Sequence, residues 1–125
     1  MRILLDTHVF LWYTKSDRKL SAKSRSMIQN ATEVYVSSAS IWEATIKVRL
    51  GKLDVKIDDL VKAITTSGFS ELPITVDHAA AVDRLSELHR DPFDRILLAQ
   101  AITEPLTFLT ADETLKDYSR LVIII

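Results

Sequence analysis

Residues 2–13 read RILLDTHVFLWY: three apolar residues suited to a β-strand, Ile3–Leu5, then Asp6, Thr7 and His8, then an apolar and aromatic run from Val9 to Tyr13. The strand lacks polar alternation, which suits burial on both faces. The run behind it suits a buried turn or two of helix. Strand, polar junction, helix is the unit, and the rest of the chain repeats it.

Working outward, Ser21 can cap a helix reaching about Ala31, with Leu20 as a hydrophobic staple. Val34–Val36 reads as a strand, after which Ser38 or Ser40 opens a helix ending near Gly51, a good residue for the position just past a helix end. Asp58 begins a helix that Gly68 ends, and Leu72–Val76 is strand-like, with Pro73 marking an edge position or a strand start. Asp77 caps the helix HAAAVDRLSELHR, residues 78–90. In HRDPFDRILLAQA, residues 89–101, Asp91 fits an N-cap, Pro92 the first helical position and Asp94 the third. Thr107–Leu109 is a strand, a short helix lies around Glu113–Tyr118, and Val122–Ile125 is a last apolar strand fit for burial on both sides. Short strands alternating with helices define an α/β fold with a short, mostly parallel sheet covered on both faces. The length of 125 residues, without repeat or linker, makes residues 1–125 a single domain.

Composition narrows the chemistry. There are no cysteines, which removes disulfides, zinc–thiolate sites and thiol catalysis. The two glycines, Gly51 and Gly68, are too few for a phosphate-cradling loop. No segment is apolar enough to span a membrane, and Asp6 interrupts the N-terminal apolar run, so no signal peptide and a cytoplasmic location are expected. A net charge of −1 argues mildly against binding nucleic acid through a broadly basic surface.

In parallel sheets, ligands bind beyond the carboxyl ends of the strands. Four acids fall at such junctions: Asp6 after ILL, Glu43 in the first turn of the helix after VYV, Asp112 after TFLT, and Asp94 at the start of the DPFDR helix. Each has a local explanation. Ser40 with Glu43, and Thr110 with Glu113 beside Asp112, match the S/T-x-x-E capping box, and Asp94 suits a helix's first turn. Asp6 has the weakest one, because Thr7 could cap the next helix alone. Four carboxylates gathered at one end of a sheet repel each other, and no equal number of cations adjoins them in the sequence. A divalent ion that prefers oxygen ligands resolves the conflict, and such a pocket suits phosphoryl transfer.

LLDT, SSASIWE, HRDPFDRILLAQA and LTADETL, in this order, resemble the PIN-domain proteins, most closely the VapC-type ribonuclease toxins of bacterial toxin–antitoxin pairs. The resemblance spans essentially the whole chain, and DPFDR before an apolar helix is its most specific element. It implies a three-layer α/β/α sandwich and a Mg²⁺ or Mn²⁺ site formed by Asp6, Glu43, Asp94 and Asp112. Thr110 matches the family's hydroxyl position, and Asp91 matches the subfamily motif but lies outside the quartet; Glu113 is a further possible ligand. The implied reaction is hydrolysis of an RNA phosphodiester to a 5′ phosphate and a 3′ hydroxyl, with a cognate antitoxin as inhibitor and a homodimer as the common assembly.

Setting the four acids aside leaves the remaining surface net positive. Candidate phosphate contacts are Lys47, Arg49, Lys52, Arg95 and the basic stretch KSDRKLSAKSR, residues 15–25, although Lys47 is also placed to pair with Glu43 one helical turn away. Of His8, His78 and His89, only His8, near Asp6, is a general-base candidate, and a metal-activated water needs none. Phe10, Trp12 and Tyr13 suit the core, while Trp42 is ambiguous. Val48, Leu50 and Leu53 suit either the core or a groove for an antitoxin helix. Two other classes compete. A receiver-like Mg²⁺-binding module needs paired acids near the first strand and a lysine after a late strand, whereas Asp6 stands alone and no lysine follows TFLT before Lys116; a dehalogenase-type phosphatase needs an aspartate where His8 stands. A PIN-fold domain that binds RNA without cutting it is the remaining alternative.

Overall fold

The computed structural model describes residues 1–86 and 91–125. Five strands, β1 (Arg2–Leu5), β2 (Glu33–Ser37), β3 (Ser70–Leu72), β4 (Thr107–Thr110) and β5 (Val122–Ile124), form one sheet in the order β3-β2-β1-β4-β5, with every neighbouring pair parallel. Six α-helices accompany them: α1 (Thr7–Thr14), α2 (Ala22–Gln29), α3 (Ser38–Arg49), α4 (Ile57–Thr66), α5 (Val76–Ala81) and α6 (Pro92–Thr103). Single 3-10 turns follow α5 and β4, at Val82–Arg84 and Glu113–Tyr118.

The period-two geometry of a strand sends successive side chains to opposite faces, and two apolar clusters result. Ile3 and Leu5, Val34 and Val36, and Leu109 face one side, where Phe10 of α1, Ile28 of α2, and Leu60 and Ile64 of α4 cover them. Leu4 and Phe108 face the other, under Leu97, Leu98 and Ala101 of α6. Helix α3 lies between, giving Ala44 to the first cluster and Ala39 to the second. The result is the expected three-layer α/β/α sandwich, with β1 central and buried throughout Ile3–Leu5.

Several elements differ from the sequence expectation. The strand expected at Leu72–Val76 ends at Leu72, and Pro73, which has no N–H to add to a ladder, terminates it. Its position at the sheet edge is as expected. Helix α5 is capped by Thr75 rather than Asp77: Thr75 and His78 exchange side-chain and backbone hydrogen bonds in a reciprocal capping box. That helix ends at Ala81, and the rest of the expected 78–90 helix, including His89, passes through the 3-10 turn and then lies outside the described residues. Strand β5 is the second sheet edge and only half-buried, so its apolar run reflects one covered face.

Candidate active site

Because the sheet is parallel, the C-terminal ends of β1, β2 and β4 open onto one edge. Helix α6 runs into β4, so its N-terminus returns to that same edge. All four acids singled out in the sequence therefore lie toward that edge, Asp6, Asp94 and Asp112 at the starts of helical segments and Glu43 in the second turn of α3.

Asp6 is the most constrained. Its backbone N–H continues the β1–β4 ladder by donating to Leu109 O at 3.0 Å, which fixes the residue to the sheet. Its side chain is the N-cap of α1 and accepts from His8 N across a long 3.4 Å. The other carboxylate oxygen accepts the Thr110 hydroxyl. Burial, and secondarily the charge of Glu43, push the Asp6 carboxyl above its ordinary value, opposed mainly by the Thr110 hydrogen bond. Thr7 does not cap α1; its hydroxyl donates to Ser40 Oγ at 2.8 Å, a buried bond tying α1 to α3.

That bond removes the local explanation for Glu43. Helix α3 is capped by Ser37, whose Oγ accepts from Ala39 N at 3.0 Å, so Ser40 already lies inside the helix and the Ser40–Glu43 capping box does not form. Glu43 sits beyond the first turn, buried, with Lys47 Nζ 3.0 Å from its carboxylate. Lys47 Nζ also lies 3.1 Å from His8 Nε2, which links α3 to α1 across the rim. The expected i,i+4 pair is thus present, and Lys47 points at the site rather than away from it.

The Thr110–Glu113 capping box is likewise not formed. Thr110 Oγ accepts from Asp112 N at 3.1 Å while donating to Asp6, so one buried hydroxyl joins two of the four acids. Asp112 is itself the cap of the 3-10 turn, accepting from Thr114 N at 3.0 Å and from Thr114 Oγ1 at 2.6 Å. Glu113 is exposed.

At the start of α6 the sequence expectation holds. Asp91 is the N-cap, accepting from Phe93 N at 2.9 Å and Asp94 N at 3.3 Å, with Pro92 in the first turn. Asp94 is half-buried. The preceding Phe93 packs edge-on against Trp42, ring centroids 5.2 Å apart, so the residues just before Asp94 and Glu43 are in contact. This pins the two helix starts together and gives Trp42 a role its sequence position left open. Arg95, a candidate phosphate contact, extends its guanidinium to the carbonyls of Val82, Leu85 and Ser86. Of the candidate antitoxin residues, Leu53 packs on the core and Val48 is half-buried, leaving Leu50 exposed. It continues an exposed stripe with Trp42 and Ile46 along α3, for which the sequence pattern gave no signal.

The donors on the rim are carboxylates and a hydroxyl, the chemistry of a hard divalent ion. Among the described residues no three His, Asp or Glu side chains are gathered tightly enough to grip an ion directly. The set therefore fits a Mg²⁺-like ion that keeps most of its water, taking one or two carboxylates directly and the others through water. Asp6 and Glu43 are buried, and Asp94 and Asp112 are half-buried.

A five-stranded parallel sandwich with this acidic rim is a PIN domain: the PIN domain family model matches residues 3–121, and the chain belongs to that family. It is similar to Ribonuclease VapC22 of Mycobacterium tuberculosis, 28% identical over an alignment 123 residues long that covers 93% of this chain and 91% of the relative. Its fold matches a chain in the crystal structure of VapBC2 from Rickettsia felis bound to a DNA fragment from their promoter, with a TM-score of 0.73 and 15% identity, over 100% of this chain and 98% of that one. Among the described residues no helix is long and apolar enough to cross a membrane.

Proposed function

We propose that the chain is a metal-dependent endoribonuclease, the toxin of a toxin–antitoxin pair, cutting RNA phosphodiesters at the rim of Asp6, Glu43, Asp94 and Asp112. The observation that carries this reading is the buried pair Asp6 and Glu43. Asp6 is held out of water, where its burial and the nearby charge of Glu43 both penalise its carboxylate, and Glu43 is itself buried with no helix-capping role. Lys47 answers one of these two negative charges, and a bound cation would answer the other. The ribonuclease name of the VapC22 relative supports the reaction class.

Asp6 and Glu43 would hold Mg²⁺ or Mn²⁺, with Asp94 and Asp112 orienting its water shell. The bound ion supplies the positive charge that brings a phosphodiester to an acidic rim and activates water for attack. Thr110 fixes the Asp6 carboxylate through one hydrogen bond and the Asp112 turn through another, so the two acids keep their separation as charge changes. Asp91 presents Asp94 by capping α6. Water adds to phosphorus and the bond to the 3′ oxygen breaks; a proton restores the 3′ hydroxyl and the 5′ phosphate stays on the downstream product.

The solved relative of the same fold is a VapBC complex, which supports a cognate antitoxin as partner. The exposed Trp42–Ile46–Leu50 stripe offers such a protein apolar area beside Glu43. A homodimer is the assembly proposed by family resemblance. One observation favours the second reading, a PIN fold that binds RNA without cutting it: among the described residues the acids are spread too widely for three to touch one ion.

The decisive experiment incubates purified, partner-free protein with structured RNA in Mg²⁺, Mn²⁺ or EDTA, beside a folded Asp94→Asn variant. Cleavage that needs metal and is lost in the variant is expected. Equal cleavage by both proteins would overturn the assignment of Asp94. If RNA is bound but never cut, and Mn²⁺ leaves the melting temperature unchanged, the non-catalytic reading replaces this one, since a bound ion must raise stability by mass action.

A further inference from the structure

On the α1–α3 side of the acidic rim lies a cavity of about 230 Å³ that the proposed chemistry does not use. Its polar wall is His8, Lys15, Lys19, Lys47 and Lys52, and its apolar wall includes the Trp12 ring. In a chain of net charge −1, four lysines around one small cavity are a local excess that the overall composition conceals. Among the described residues Asp17 is the single acid in the lining, and its Oδ1 already accepts the Lys19 backbone N–H at 2.9 Å.

Separate features of the fold bring these lysines together. Lys15 is the C-cap of α1, and the chain then turns back at Ser16, with a φ of 52°, so that Asp17 N reaches Trp12 O at 2.9 Å. Buried Leu20 anchors the far end of that loop. On the other wall, α3 ends in a left-handed Gly51, φ 74°, and Lys52 N bonds back to Lys47 O at 2.8 Å, which folds Lys52 over Lys47. Lys47 belongs to both sites, touching Glu43 on the rim and His8 on the cavity wall.

We propose that this cavity is a subsite for the backbone of single-stranded RNA, taking a phosphate next to the scissile one on Lys15, Lys19 and Lys52, with the adjoining base against Trp12. The proposal rests on the nuclease reading and adds where the strand runs. Lysines supply the strand's charge neutralisation, and an indole face accepts any base, so the subsite gives affinity with little sequence preference. Contact with the acids through Lys47 and the aromatic wall favour RNA over an acidic protein segment, for which Trp12 has no specific use.

The test compares a Lys15→Ala/Lys19→Ala/Lys52→Ala variant with a Lys56→Ala/Lys62→Ala/Lys116→Ala control that removes the same charge elsewhere, all six lysines being exposed. Binding of a fluorescein-labelled oligouridylate is followed by anisotropy in EDTA at several salt concentrations, and its Mn²⁺-dependent cleavage is measured separately. The cavity variant should bind at least ten-fold more weakly, and its slope of log Kd against log salt should fall by about 0.7, the value for one phosphate that is no longer neutralised. The control should stay within about two-fold of the wild type. Equal weakening in both variants, unchanged binding in the cavity variant, or no RNA binding by the wild type would each overturn the subsite. So would weakening only of binding to polyglutamate, which would mark an acidic-peptide site. Cleavage with wild-type KM in the cavity variant removes the subsite and leaves the nuclease standing. Lysine-dependent binding without cleavage by the wild type removes the nuclease and leaves the subsite.

Discussion

Asp6 carries conflicting demands: a sheet hydrogen bond and a helix cap hold it in place, while burial and Glu43 penalise its charge. Because the folded protein binds this proton more tightly than the unfolded chain, Asp6 contributes stability in acid, below the ordinary carboxylate range, and loses it as pH rises through the raised folded value. Asp6→Asn removes the ionisation. In EDTA it should stabilise the protein near pH 7 by on the order of 1 kcal/mol, roughly 3 °C in melting temperature, with the gain vanishing in acid. A gain that grows as pH falls would contradict this account. Thr110 is a second test at this scale. Thr110→Val leaves the Asp112 N–H and one Asp6 oxygen without their partner and should cost about 1–3 kcal/mol in urea unfolding. Thr110→Ser, which keeps the hydroxyl, should recover most of it; equal losses would show that the methyl group, not the hydrogen bonds, matters there.

Helix α6 shows how one motif divides its work. Asp91 uses its carboxylate on two backbone N–H groups, so Asp91→Ala should lower stability by about 1 kcal/mol with or without metal. Asp94→Asn should leave the melting temperature in EDTA nearly unchanged and reduce the rise that Mn²⁺ produces. Identical behaviour of the two variants in Mn²⁺ titrations would undo the division. This helix was legible in the sequence because its cap, proline and apolar run are all local. Strands β1, β2 and β4 were legible for a similar reason, since an uninterrupted apolar triplet between helices has few other uses. Local pattern misled at α3, where Ser40-x-x-Glu43 imitates a cap, although the cap is Ser37 and Ser40 is held by Thr7, distant in sequence. The same limit hid the Lys47–His8 contact and the pairing of Trp42 with Phe93, which only the packing of separate helices creates.

At the scale of the molecule, the two clusters meet through the sheet and at α3, and β1 lies at the sheet's centre with side chains in both: Ile3 and Leu5 in one, Leu4 in the other. The edge strands are weaker members. Strand β3 has one buried residue, Leu72, and β5 is half-buried along its length, which its apolar sequence alone could not reveal. Opening an edge exposes little apolar surface, whereas freeing β1 separates both layers from the sheet and amounts to global unfolding. Native-state hydrogen exchange should therefore place the amides of Leu4, Leu5 and Asp6 at the global unfolding free energy, and those of β3 and β5 well below it. The rim would then be mechanically uneven, with Asp6 on the most stable strand and the neighbouring edges free to open locally. If β5 amides exchange as slowly as those of β1, an interaction beyond this chain's own packing must cover that edge, and size measurements at the same concentration would show whether it is a second copy.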